Sequence, residues 1–319
     1  MNRIVSSIKS GFEDKALSIL KVSDPSLSIR NYLKLINLAF KFGTAKILDW
    51  LINSSCHRFN LGNVDWEFEF SGVIPRGHSE IIKLLISDKG VDPSANNNGA
   101  IRQASYFGHL EIVKLLFSDK RTDPSVRDNY AIGIACQDGY LEIVKLLLQD
   151  ERVDPGADDN YGIRCASRSG YLEIVKLLLQ DKRVDPSDRD NYAIRYASEN
   201  GRTEIVKLLL SDERVDPCAD NNHAIGLANQ KGHTEVVKLL LQDKRVNPSA
   251  NNNFAIIIAS QCGHIEVVKL LLQDKRVDPS AQNNYAIRLA SQYGHIEVVK
   301  LLLQDKRVDP SANDNYAIR

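Results

Sequence analysis

From residue 68 onward, apolar and polar positions follow a two-part pattern that returns every 31 residues. In the copy at 192–222, the first part (192–200) sets Ala193, Ile194 and Ala197 on one side, the spacing of a short amphipathic helix. Gly201 predicts its stop, because glycine accepts the left-handed conformation that ends helices. The second part, from about 203 to 211, predicts another helix. Ile205, Val206, Leu208, Leu209 and Leu210 form a wide apolar stripe there, with Glu204, Lys207 and Ser211 along the opposite edge. Glu204 sits in the first turn, where the helix dipole favours an anion, and its spacing allows an i,i+3 pair with Lys207. Asp216-Pro217 then imposes an extended or turn conformation, since proline disfavours a helical predecessor.

Three ladders of eight carry this pattern. Prolines recur from Pro93 to Pro310, glycines from Gly77 to Gly294, and glutamates three residues after each glycine, from Glu80 to Glu297. Each helix is only about ten residues, marginal in isolation because helix nucleation is costly. Stability must come from stacking one pair on the next, which predicts an all-α, elongated solenoid.

The runs A-S-E-N-G-R-T-E-I-V-K-L-L-L at 197–210 and A-S-Q-Y-G-H-I-E-V-V-K-L-L-L at 290–303 resemble the second half of the ankyrin repeat. The resemblance covers about residues 68–319 strongly and the earlier part weakly, and it implies a non-enzymatic protein-binding scaffold. Two features depart from the family. The usual Thr-Pro-Leu-His opening reads Tyr192-Ala193-Ile194-Arg195, and the period is 31 residues rather than about 33. The shortening falls where stretches such as D-P-S-A-N-N-N replace the usual turn, so short connecting loops or stunted hairpins are expected. Short proline-containing variants of this kind resemble those expanded in amoebal giant viruses.

The boundaries follow from the pattern. Residues 1–67 hold two degraded units expected to act as an N-terminal cap, 68–315 hold eight repeats, and 316–319 are the stub of a further one. The least regular stretch, 53–76, carries Trp66, Phe68, Phe70 and Pro75. A cap needs such a departure because one face meets water; a dedicated docking element with exposed aromatics is the other reading. The final leucine-rich helix is expected to be incompletely covered, and the chain end to fray.

Composition narrows the function. Lys plus Arg and Asp plus Glu number 41 each, so the chain lacks the basic footprint of nucleic-acid binding. The N-terminus does not read as a secretory signal and no run of 18 apolar residues occurs, so no membrane role is expected. The five cysteines (Cys56, Cys136, Cys165, Cys218, Cys262) form neither a disulfide framework nor zinc-ligand spacing, which fits a reducing, cytoplasmic location, the host cytoplasm if the source is viral. His78, His109, His233, His264 and His295 all follow the repeat glycine, where Tyr140, Tyr171 and Arg202 stand in other copies. A position that tolerates these exchanges needs no imidazole chemistry, and histidines a repeat apart cannot share one metal. The Asp243-Lys244-Arg245 cluster and its copies read as a solvated edge of local ion pairs. No phosphate loop, nucleophile elbow or Cys–His pair is present. Catalysis, cofactors, metals and small-molecule substrates are therefore not expected.

With the apolar and turn positions nearly constant, the differences between copies mark the surface. They concentrate at the two residues before each repeat glycine, and those positions resemble the variable binding positions of ankyrin repeats. Tyr106, Phe107, Asp138, Arg168, Glu199, Asn200, Lys231 and Tyr293 are the candidate partner-binding residues, the aromatics as anchors. A secondary candidate strip lies in the connecting segments at Arg127, Asp158, Arg189 and Asp220. Neutral drift at exposed positions would produce the same variation. The expected function is a scaffold holding a protein partner along its concave, first-helix face; the alternatives are a ubiquitin-ligase substrate adaptor and a decayed copy without a selected partner.

Overall fold

The computed structural model describes residues 1–23, 28–55, 66–88 and 91–311. Among them the fold is all-α: twenty helices, one 3-10 turn and no strand. Two compact units divide the chain, Met1–Ala135 with Glu142–Asp154, and Cys136–Leu141 with Pro155–Arg319. The stub at 316–319 and Cys56 lie outside the described residues, so the expected fraying of the chain end does too.

In the first unit, Asn2–Lys9 packs on Glu13–Ser23 and Ile29–Phe42 on Ala45–Ser55. Trp66–Val73 runs into the 3-10 turn Ile74–Arg76, where Pro75 sits without an intrahelical bond to lose. Of the aromatics singled out there, Phe68 is exposed and Phe70 is buried. Ala45–Ser55, Ser79–Asp88 and Leu110–Phe117 then stack in succession. In the second unit the first helices Ala157–Ser169, Asp188–Glu199, Ala219–Lys231, Ala250–Gln261 and Ala281–Gln292 pack each on the next. The second helices Leu172–Leu179, Thr203–Leu210, Thr234–Gln242, Ile265–Gln273 and Ile296–Leu303 do likewise. Most of the expected core is observed: Ala193, Ile194, Ala197, Ile205, Val206 and Leu209 are buried, whereas Leu208 and Leu210, on the edges of the stripe, are only half-buried. Among the second helices of this unit, Ile296–Leu303 buries the fewest residues, with Ile296 and Leu303 exposed.

The connections are short turns of an unexpected kind. Three consecutive residues in each of seven repeats adopt the left-handed conformation, with φ between 49° and 63°. In the copy at 188–199 these are Arg189, Asp190 and Asn191, after which the chain becomes a right-handed helix. The left-handed well costs most L-residues about 1–2 kcal/mol each, and Asn and Asp least, because their short polar side chains bond locally. This explains the N-N-N and D-D-N tracts. Among the described residues, all but three of the left-handed non-glycine residues (Arg127, Arg189 and Gln282) are Asn or Asp, and the third of each triplet is always Asn. The turn closes on itself through the Asn191 amide, which donates to the Ser187 carbonyl at 2.7 Å.

Two side-chain ladders tie successive repeats. The third Asn points its Oδ1 at the amide preceding the next proline: Asn160 accepts from Asp185, Asn191 from Asp216 and Asn253 from Asp278, each at 2.7 Å. The Asp-x-Arg cluster is more than a solvated edge. Arg245 grips Asp243 with Nε at 3.0 Å and Nη2 at 2.7 Å, and it also donates through Nη1 to the Val215 carbonyl of the previous repeat at 2.8 Å. Arg214, Arg276 and Arg307 repeat this link at 2.7, 2.8 and 2.7 Å. Glu–Lys i,i+3 pairs form on the outer edge in several copies, for example Glu173–Lys176 and Glu266–Lys269, each at 2.7 Å, although the Glu204–Lys207 spacing singled out from the sequence does not close into one.

Candidate functional site

The histidines after the repeat glycine have a packing role. Gly201 takes φ 66°, and a Cβ there would lie 2.7 Å from the His233 Nδ1, so glycine both ends the helix and makes room for the next ring. The ring's Nε2 lies 2.8 Å from the Glu199 carbonyl oxygen and donates to it. His264 and His295 make the equivalent bond at 2.9 Å. Arg202 fills the same slot through Nε to the Arg168 carbonyl at 3.3 Å, which explains why the position tolerates exchange. Among the described residues no group of three or more His, Cys, Asp or Glu side chains is placed to hold a metal ion.

The variable positions end the first helices, and the two units present them separately. In the first unit Tyr106 and Phe107 are exposed and packed edge to face, ring centroids 4.9 Å apart, with the Phe107 ring stacked on His109. In the second unit Asp138, Arg168, Glu199, Asn200 and Lys231 line two adjoining hollows of about 460 and 580 Å³. Arg168 and Tyr192 line both. Tyr293 is exposed at the end of Ala281–Gln292 and outside these hollows.

Comparing the copies at the two positions before the glycine does not find the floor of this groove. Tyr161, Arg164, Cys165, Tyr192 and Tyr196 form it. The signal was present one turn earlier, where Gln103, Ile134, Cys165, Tyr196, Leu227, Ile258 and Leu289 occupy one repeat position. Arg164 is nearly buried, and its guanidinium donates to the carbonyls of the left-handed turn, Asp159 at 2.7 Å and Asp158 at 3.1 Å. It lies 5.7 Å from the Tyr161 ring centre and 5.3 Å from that of Tyr192. Tyr192 in turn stacks on Tyr196 with centroids 3.9 Å apart. The Tyr161 hydroxyl bonds Gln137, and burial first of all pushes its pKa up to about 12. Burial likewise raises the Cys165 thiol, which stays protonated near neutral pH. Lys231 faces Glu199 at 3.9 Å, a loose pair. The result is an aromatic lining, Tyr161, Tyr192 and Tyr196, that also carries the Arg164 and Arg168 cations. It carries no nucleophile activated by a neighbouring base.

The secondary candidates Arg127, Asp158, Arg189 and Asp220 are the first residues of four left-handed turns, and all are exposed. Arg189 pairs with Asp159 at 2.5 Å, and Asp220 takes Arg195 at 2.6 Å and His223 at 3.3 Å. The charges of Arg189 and Asp220 are therefore largely occupied within the chain.

Among the described residues no helix is long and apolar enough to cross a membrane. No curated protein matches the chain. The family model described as ankyrin repeats (3 copies) matches residues 101–190, 132–221, 163–252 and 225–314, overlapping windows that together span more than half of the sequence. Repeats of this family are generally protein–protein interaction modules and typically carry no enzymatic activity, consistent with a constant stack that presents a changing surface. By the family match, the helix-pair stacking and the repeat ladders together, the chain belongs to the ankyrin repeat family.

Proposed function

We propose that the protein is a non-enzymatic scaffold that binds a protein partner along the first-helix face. The observation that carries this reading is the groove itself: five of the variable residues, Asp138, Arg168, Glu199, Asn200 and Lys231, line two contiguous hollows over an aromatic floor. Aromatic and arginine side chains dominate interface hot spots, and a preformed surface loses little conformational freedom on binding. In this reading 1–67 cap the array, 68–315 carry the repeats, and 316–319 begin a further unit. Tyr106, Phe107 and Tyr293 extend the surface within their own units, and Arg127, Asp158, Arg189 and Asp220 form a secondary strip.

The test is affinity capture from the native cell type with mass-spectrometric identification. The parent is run beside a variant carrying Asp138→Ala, Arg168→Ala, Glu199→Ala and Lys231→Ala, after circular dichroism shows equal helicity. A protein held by the parent and released by the variant supports the groove. Equal capture by both moves the contact elsewhere on the chain.

A further inference from the structure

The charge arrangement beneath the groove specifies what it takes. Four repeats carry an arginine four residues into the right-handed part of the first helix, among them Arg164 and Arg195. Both guanidiniums bond carbonyls of the left-handed turn, Arg195 through Nη2 to Arg189 at 3.0 Å. They differ in their counter-ion. Arg195 has the Asp220 carboxylate at 2.6 Å, supplied by the first residue of the next turn. The equivalent residue for Arg164 is Arg189, a cation whose own partner is Asp159. Among the described residues no carboxylate lies within salt-bridge distance of Arg164 or of Arg168, which lines the same hollow. Arg164 is only 9% exposed, so its charge is poorly solvated as well as lacking a counter-ion. Its Nε and Nη2 are held by carbonyls and two rings lie against it, but it has no counter-ion, and an arriving carboxylate that accepts from its remaining N–H groups supplies one.

We propose that the hollow between Arg164 and Arg168 receives a single carboxylate side chain from an extended segment of the protein partner, flanked by the Tyr161 and Tyr192 rings. This inference rests on the reading of the first-helix face as the docking surface. A single carboxylate fits better than a nucleic-acid strand, because Asp138 and Glu199 also line the groove and would repel a continuous run of phosphates. The second hollow lies one repeat along. Neighbouring helices are spaced about 8–10 Å apart, and a polyproline II chain brings side chains three residues apart to one side at about 9 Å. A residue three positions from the acid therefore reaches the stacked Tyr192 and Tyr196 rings.

The probe is a set of short synthetic peptide mixtures, randomised except for a central Glu, Gln or Lys, retained on the immobilised full chain. An oligothymidylate serves as competitor. The Glu mixture is expected to be retained about tenfold more than the Gln mixture, the order of one charge-assisted hydrogen bond, and to lose that preference at high salt. Arg168→Glu removes the preference and favours the Lys mixture, Arg168→Lys keeps part of it, and Lys244→Glu, the same charge change outside the groove, leaves it intact. Equal retention of the Glu and Gln mixtures, or a Glu preference that survives Arg168→Glu, overturns the inference. So does displacement by oligothymidylate in preference to the Glu peptides, or no retention of any mixture. If all mixtures bind alike and Tyr192→Ala releases them, the carboxylate is wrong while the first-helix face stands as the docking surface.

Discussion

Asn191 shows how much one side chain does here. It holds φ at 59°, donates its amide to Ser187, and accepts the Asp216 amide of the next repeat on Oδ1 at 2.7 Å. Alanine would lose the acceptor, leave that amide unpaired and take on the left-handed penalty. Asn191→Ala is expected to destabilise the local stack by about 2–4 kcal/mol, combining an orphaned donor with the conformational cost. Asp190→Ala, exposed in the same turn, should cost about 1–2 kcal/mol, the conformational part alone. Because repeat arrays need not unfold in one step, the sharper readout is hydrogen exchange at the Asp216 amide. Its protection should collapse in Asn191→Ala and persist in Asp190→Ala; unchanged protection in the first variant would refute the ladder. The N-N-N tract announces a turn from sequence. Its handedness, and the reach of its third residue to the next repeat, do not follow from the tract alone, because the hydrogen-bond acceptor sits 25 residues from its donor.

The same logic extends to whole elements. Right-handed helix and left-handed turn meet head on, leaving carbonyls that Arg102, Arg164 and Arg195 cap and that Gly226 cannot. A Cβ at Gly226 would meet the Phe254 ring at 3.7 Å, ordinary contact, so the position accepts a Cβ without a clash. Gly226→Arg is expected to stabilise its repeat by about 1–2 kcal/mol, from a helix-interior glycine removed and a carbonyl cap gained. A raised urea midpoint would show it; Gly226→Ala should give only the glycine part, and an equal gain in both would mean the cap does not form. The helix pairs themselves are legible in the leucine stripes and glycine stops, since burial and helix termination are local requirements. The Asp-x-Arg segment reads locally as an ion pair and turns out to clasp the preceding repeat as well. Only stacking brings the Val215 carbonyl to Arg245.

Across the whole molecule, seven Asp-x-Arg clasps respond to pH with one sign. Asp119, Asp150, Asp181, Asp212, Asp243, Asp274 and Asp305 are each held below the usual carboxylate range, chiefly by the side-chain hydrogen bond from the arginine two residues on. A carboxylate depressed in the folded state contributes its full stabilisation above its unfolded pKa of about 3.9 and loses it as pH falls through the lower folded value. Thermal stability should thus be level from neutral pH down to about 5 and decline steeply below 4. Replacing Asp243 and Asp274 by Asn should lower the neutral-pH melting temperature and make the acid decline shallower; a decline as steep as the parent's would assign acid sensitivity to other groups.

The sequence by itself determined the repeat period, the helix pairs, the buried faces and the family, because each depends on spacings within a single 31-residue unit or on its exact return. It also placed the variable positions at the ends of the first helices, where the hollows lie. Only the tertiary structure decided the left-handed turns, the inter-repeat ladders, and which variable residues share a groove with Tyr161, Arg164 and Tyr192. It likewise decided that Arg195 meets a carboxylate while Arg164 meets none. These are relations between residues of neighbouring units. They are set by how one unit seats on the next, and a pattern read along the chain contains the period of that seating but not its geometry.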